Sequence, residues 1–254
     1  MSDVHAPRFR VHLAQNANEI EAAQRLRYDV FVRELGGSGV LVDHALGIEK
    51  DHFDAHCDHL LLTDVTREAV VGVYRLMRRS HAAKAGSFYS AGEYDLAPLL
   101  NSDRRLLELG RSCLHKDYRG GMAMFHLWNG LASYVATHQI DVLFGVASFH
   151  GTDVNALAGP LSLLHHRHLA PIELRVRARP EAFQPMDLLP EETLDRRAAM
   201  RGVPALIKAY LRLGGTVGEG AFIDHAFNTT DVCLILDTAQ MNERQARLYQ
   251  GGVG

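Results

Sequence analysis

Four short patterns in this chain put charged side chains where a packed domain would ordinarily avoid them. Arg27 and Phe31 stand about one turn apart in a segment with helical periodicity, and Asp51 and Asp54 are three residues apart in an irregular stretch just after Glu49. Arg75 closes the second strand of a hairpin, and Glu108 and Arg111 flank Gly110 in a strand-like run from Leu106 to Cys113. A carboxylate or guanidinium inside a core is costly unless an opposite charge meets it. Two readings follow: a buried salt-bridge network, or a pocket that holds a small charged substrate.

The elements that would position these groups are legible in the hydrophobic pattern. Ile20, Ala23, Leu26, Val30 and Phe31 recur at helical spacing, with Asn16 or Asn18 as N-cap, and predict a helix from Ala17 to Phe31. Glycines at 36, 37 and 39 end it. Apolar runs beginning near His59 and from Ala69 to Arg75 predict a hairpin. Gly110 inside the next strand predicts a bulge or a close backbone approach. After the turn Tyr118-Arg119-Gly120-Gly121 comes a helix from Met122 to Thr137, and then an apolar run, Val142 to Ala147, suited to a strand buried on both faces. Beyond these, the pattern predicts a helix from Asp153 to His165, an alternating strand from Glu173 to Arg179, a helix from Pro204 to Leu213 and a last strand from Val232 to Leu236 before a polar tail. A helix, an antiparallel hairpin and a strand-helix-strand unit together define a mixed α/β (α+β) fold rather than a doubly wound one. The length of 254 residues predicts a single domain, 1–254, with a C-terminal elaboration from about 165.

Composition narrows the function. A formal net charge of −3 excludes the broad cationic surface that nucleic acid requires. No apolar run approaches the roughly 18 residues of a membrane-spanning helix, and the opening residues Met1 to His5 lack the pattern of a secretory signal, which predicts a cytoplasmic protein. Cys57, Cys113 and Cys233 are too scattered for a disulfide frame or a thiolate metal site and read as buried small residues. His52, His56 and His59, and the second set His165, His166 and His168, have spacings that a metal could use, but strand pattern at Leu60 and a helix end at His168 argue against it, so no metal is expected.

Taken in order, Arg27 to Phe31, Asp51 and Asp54, Arg75, and Glu108 with Arg111 resemble the acyl carrier protein-dependent N-acyl amino acid synthases, a GNAT branch related to the acyl-homoserine lactone synthases. The likeness spans about residues 20 to 150. The stretches Glu108 to Cys113, Leu127 to Gly130 and Leu143 to Gly151, with Ile207 to Gly214 and Phe227 to Val232 downstream, are similar to the ornithine-lipid-forming acyltransferases. Autoinducer synthases usually carry a tryptophan after the first helix, where this chain has Gly36-Gly37-Ser38-Gly39, which disfavours the lactone branch.

The resemblance implies a GNAT-like, mostly antiparallel sheet with flanking helices, in which the parallel strands 106–113 and 142–148 splay to admit an acyl-phosphopantetheine arm. It implies transfer of an acyl or 3-hydroxyacyl group from acyl carrier protein to the α-amine of an amino acid, ornithine first and glutamine, glycine or lysine as alternatives. No permanently bound cofactor is implied; the partners are the carrier protein and the amino acid, with transient contact at the inner membrane face left open. Glu108 would be the base, tuned by Arg111, with backbone amides near Gly110 and Ser112 holding the oxyanion. Arg27, Phe31, Asp51, Asp54, Arg75 and Ser148 would bind the acceptor. Asp51 and Asp54 would hold a basic side chain, and Arg75 or Arg111 its carboxylate. Arg119, Gly120, Gly121 and Phe149 would meet the phosphopantetheine and acyl group; Met122 and Met124 replace the small residues of a coenzyme A pyrophosphate loop, which suits a single phosphodiester. Arg175, Arg177 and Arg179, on one face of the expected strand, would form either a solvated edge or a carrier docking stripe. The competing classes are a coenzyme A-dependent acetyltransferase and a non-catalytic carrier-binding module.

Overall fold

The computed structural model describes residues 7–39 and 41–241. The opening residues and the polar tail from 242 onward lie outside them. In chain order the elements are β1 (Phe9–Leu13), α1 (Ala17–Arg27), β2 (Val42–Asp43), β3 (Ile48–Glu49), β4 (Asp58–Asp64), β5 (Ala69–Arg78), α2 (Arg79–Ala85), β6 (Tyr94–Asp95), α3 (Ala97–Leu100) and β7 (Leu106–Leu114). There follow α4 (Ala123–Thr137), β8 (Val142–His150), α5 (Ala158–His168), β9 (Arg177–Ala178), β10 (Phe183–Gln184), α6 (Arg196–Gly202), α7 (Ala205–Arg212), β11 (Thr216–Val217), β12 (Ala221–Asp224) and β13 (Thr229–Asp237). The chain forms two compact units, one from residues up to 85 with 109–139, the other from 86–108 with 140–241, and β7 runs from the second into the first.

In the first unit β1, β4 and β5 are antiparallel neighbours, with the second half of β7 next to β5. Period-two alternation gives each face of this sheet its own helix. Leu61, Val73 and Cys113 pack with Ala23, Leu26 and Val30 beneath α1. Leu60 and Leu62 face α4, where Gly72 and Gly130 allow close approach. Asn16 caps α1, its side chain accepting from the Glu19 N–H at 3.0 Å, as expected. The α-helix ends earlier than predicted, at Arg27. Tyr28–Glu34 continues as a π-helix, with the Leu35 N–H donating to the Val30 carbonyl, so Phe31 sits on a widened turn.

In the second unit the first half of β7 pairs in parallel with β8, Leu106 to Glu108 opposite Val142 to Phe144. β8 pairs antiparallel with β13 along its whole length, and β12 and β10 follow. The central parallel pair and the mostly antiparallel sheet expected from sequence are present. Two expectations need correction. The helix placed at Asp153 to His165 begins at Ala158 and reaches His168, because Asp153 instead bonds the Asn155 N–H in a local turn. The strand placed at Glu173 to Arg179 shrinks to Arg177–Ala178, because Pro171 starts a turn closed by the Leu174 N–H. The stripe goes with it: Arg175 Nε donates to the Ala170 carbonyl at 2.8 Å, Arg179 Nε to the Ala91 carbonyl at 2.6 Å, and Arg177 pairs with Glu219.

The α4 contact gives a test of packing. A Cβ on Gly130 would lie 2.3 Å from Val11 Cγ1 on β1, a stiff side chain. Gly130→Val is expected to cost about 1–3 kcal/mol by overpacking, read as a lower urea midpoint; an unchanged midpoint would show that β1 yields at no cost.

Candidate active site

Three arginines and three carboxylates in the first unit close into one alternating ring. Arg27, at the end of α1, donates through Nε to Glu49 on β3 and through Nη1 to Asp54 at 2.7 Å. Arg75, inside β5, donates through Nη1 to Asp51 at 2.6 Å and to Asp54 at 2.9 Å. Arg111, on β7, completes the circuit from Nε to Glu49 at 3.1 Å and from Nη2 to Asp51 at 3.3 Å. Asp51 and Asp54 are fixed by the backbone between them. Asp51 accepts from the Phe53 N–H and Asp54 from the Asp51 N–H, a capping box on a short 3-10 helix. Gln24 donates to Asp54 and His59 Nε2 to the Asp54 carbonyl, each at 3.0 Å.

Arg27 and Glu49 are fully buried, and Asp51, Asp54 and Arg75 nearly so. Burial alone would raise the Asp54 carboxyl pKa; the charges and hydrogen bonds of Arg27 and Arg75 outweigh it and hold the group far below the usual carboxylate range. Arg111 is the most exposed of the six, at 12%. Its φ of 51° lies in the left-handed region, which costs a residue with a side chain about 1 kcal/mol or more, and the two carboxylates hold it there. Gly110 and Arg111 together are thus the irregularity that a glycine inside a strand predicted.

This geometry corrects one expectation. Asp51 and Asp54 do not present spare negative charge to a cationic substrate, because three guanidinium groups balance the three carboxylates. Arg27 lies inside the ring, and Phe31, half-buried, packs on the α1 core cluster.

Glu108 lies in the second unit and is 3% exposed. Its two oxygens accept the N–H groups of Tyr89 at 2.9 Å and Ser90 at 2.6 Å, which anchor the short 3-10 turn Tyr89–Gly92. Sequence reasoning missed this, since nothing in the small-residue loop marks two amides as partners. On β8, Ser148 is exposed opposite Asp231 of β13, whereas Phe149, expected at the acyl chain, is 1% exposed and belongs to the core. Near Ser148, Glu93, Asp224 and Asp231 each bring an oxygen within 4.8 Å of the others, an all-carboxylate set of the kind that suits a hard cation or an ammonium. Ser112 is half-buried on β7. The Cys113 thiol is pushed up to about 12 by burial, which makes it a poor nucleophile.

The turn before α4 has Gly120 at φ 77° and open space at both Gly120 and Gly121, and α4 begins without a side-chain cap. Arg119 is held by Glu34 through both terminal nitrogens and by the Leu114 carbonyl at 3.0 and 3.1 Å. Glu34 was another partner that sequence distance concealed.

A mixed sheet with this parallel pair, interrupted strand and glycine turn is the framework of a GNAT acyltransferase, and residues 26–129 match the family model for the acetyltransferase (GNAT) domain. An L-ornithine N(alpha)-acyltransferase of Rhodobacter capsulatus is 59% identical over 246 residues, covering 95% of this chain and 94% of that protein. One from Brucella abortus is 44% identical, covering 95% and 88%. The chain belongs to the L-ornithine N(alpha)-acyltransferase family. Its fold is also similar to that of FeeM, an N-acyl amino acid synthase from uncultured soil microbes, with a TM-score of 0.53 at 12% identity over 92% of this chain and 93% of the other. The acyl-homoserine lactone synthase LasI gives 0.52 at 16% identity over 98% of both chains.

Removing one member of the ring strands a buried charge. Glu49→Gln is expected to lose about 3–5 kcal/mol of unfolding free energy, measured by urea denaturation; a loss under about 1 kcal/mol would mean the ring is not closed. Because the folded pKa of Asp54 is depressed, its contribution is complete above the ordinary carboxylate range and declines as pH falls through that range toward the folded value. The urea midpoint is therefore expected to drop between neutral pH and roughly pH 3, and Asp54→Asn to flatten that drop.

Proposed function

We propose that this acyltransferase moves a fatty acyl or 3-hydroxyacyl group from the phosphopantetheine thioester of acyl carrier protein to the α-amine of L-ornithine, giving a lyso-ornithine lipid. The observation that carries the acceptor is the 59% identity with an L-ornithine N(alpha)-acyltransferase along nearly the whole of both chains. What supports the carrier donor is the turn before α4: Met122 and Met124 stand where a coenzyme A pyrophosphate loop has small residues, and Met122 is 57% exposed. A single phosphate would then meet the open amides at Gly121 and Met122 and compete with Glu34 for Arg119.

In this reading the neutral amine of ornithine attacks the thioester carbonyl carbon. Glu108 takes the amine proton, directly or through one water, and the tetrahedral oxyanion is held by backbone amides near Gly110 and Ser112. Collapse forms the amide, and the thiolate leaves and takes up a proton. The two amides that grip Glu108 fix the position of its carboxylate. Arg111 and Arg75 are charge-balanced within the ring, whose part is to hold the β7 backbone in place. Ser148 and the neighbouring carboxylates Glu93, Asp224 and Asp231 lie on the β8–β13–β12 side of the second unit.

Glu108→Gln keeps the size and one acceptor oxygen but cannot take a proton. Turnover of the folded variant is expected to fall about 100-fold or more, with a stability cost of about 1–3 kcal/mol because one of the two amides then faces an NH2 group; wild-type turnover in the purified variant removes Glu108 from the mechanism. For the acceptor, labelled ornithine, lysine and glutamine competing for one pool of acyl carrier protein thioester are expected to give ornithine about tenfold or greater preference in kcat/KM. Preference for glutamine would leave the acyltransferase class intact and reject ornithine.

A further inference from the structure

The second unit carries a cationic face on a rigid support. From Arg196 to Gly218 the chain has five basic residues, Arg196, Arg197, Arg201, Lys208 and Arg212, and no carboxylate, within a protein of net charge −3. On α6, Arg197 and Arg201 are four residues apart and both exposed. On α7, Lys208 and Arg212 repeat that spacing. The two helices meet where Lys208 Nζ donates to the Arg201 carbonyl at 3.0 Å, which brings Lys208 to the C-terminal end of α6. Arg201 and Arg212 lie in the last turns of their helices, where the dipole favours a cation, whereas Arg197, in the first turn of α6, gains nothing from it.

The opposite side of α6 is clamped to α5. Ala199 is buried, Gly159 packs against it, and a Cβ on Gly202 would lie 2.7 Å from Pro160 Cγ. The N-terminal end is held through Glu191, which pairs with Arg196 at 3.3 Å and with Arg167 at 2.6 Å. Charge carried on such a support is suited to recognising a folded partner, since little backbone freedom remains to be lost on binding. Among the described residues, none of the large exposed apolar side chains lies between 196 and 213. A helix that lies on a membrane pairs its cations with an apolar wedge, and this face has none.

We infer that the α6–α7 face, with Arg197 and Arg201 at its centre, docks an acidic folded protein, the acyl carrier protein that delivers the thioester. This rests on the carrier-protein reading of the donor above, and it replaces the Arg175, Arg177 and Arg179 stripe, whose members are engaged elsewhere. Electrostatic docking of this kind acts chiefly on encounter and is screened by salt.

The test compares Arg197→Glu/Arg201→Glu, and the milder Arg197→Gln/Arg201→Gln, with the unaltered enzyme on three donors: acyl carrier protein thioester, the matching acyl-coenzyme A and an acyl-pantetheine thioester. For carrier protein at low salt the reversal is expected to lower kcat/KM about tenfold or more, mainly through KM, with the neutral pair intermediate and the gap closing at high salt. Acyl-pantetheine rates and the thermal midpoint stay unchanged. Equal losses on carrier protein and acyl-pantetheine in both variants would make the face structural and overturn the inference. Unchanged carrier kinetics in an enzyme that still prefers carrier protein to acyl-coenzyme A would overturn it while sparing the donor reading. If the unaltered enzyme uses acyl-coenzyme A equally well, the donor reading fails and the docking inference with it. Unchanged carrier kinetics together with loss of sedimentation on phosphatidylglycerol vesicles would assign the face to membrane lipid instead.

Discussion

A closed circuit of six buried charges organises the first unit. Each guanidinium of Arg27, Arg75 and Arg111 bonds two carboxylates, and each of Glu49, Asp51 and Asp54 accepts from two guanidinium groups. Its members come from α1, β3, the turn after β3, β5 and β7, so the circuit ties together segments that are remote in sequence. Ions moved out of water lose several kcal/mol of solvation each, which only paired, hydrogen-bonded geometry offsets. That demand is why the loop between β3 and β4 is pinned by a capping box and why Arg111 holds a left-handed backbone conformation in a strand.

Much of this was legible in the sequence. Glu108, Gly110 and Arg111 marked the interrupted strand, the apolar runs marked β4, β5, β7 and β8, and the resemblance indicated the parallel order of the last two. The pairing was not legible. Asp51 and Asp54 read equally as a cation pocket or as half of a network, because sequence spacing records neighbours along the chain and the partners lie 21 to 60 residues away. The same blindness hid Glu34 behind Arg119 and the Tyr89 and Ser90 amides behind Glu108.

The arginines at 175, 177 and 179 failed for a different reason. Alternation predicts a strand only where the backbone can pair, and here Pro171 and the turn after it prevent that. The cations then serve as braces to loop carbonyls and to Glu219. The basic residues of α6 and α7 are concentrated in the sequence, but the anchoring of α6 on α5 is what shows that Arg197 and Arg201 face outward.

Alternation in a closed circuit also bears on how such a sequence can drift. A circuit of alternating charges must have an even number of members, so replacing one charged residue by a neutral one leaves an uncompensated buried charge, and a second, compensating change must arise at a distant position. The six sites therefore behave as one inherited block. A hybrid gene joined between residues 54 and 75 divides the block, with Arg27, Glu49, Asp51 and Asp54 from one parent and Arg75 and Arg111 from the other, and it is viable only where both parents place the same charges.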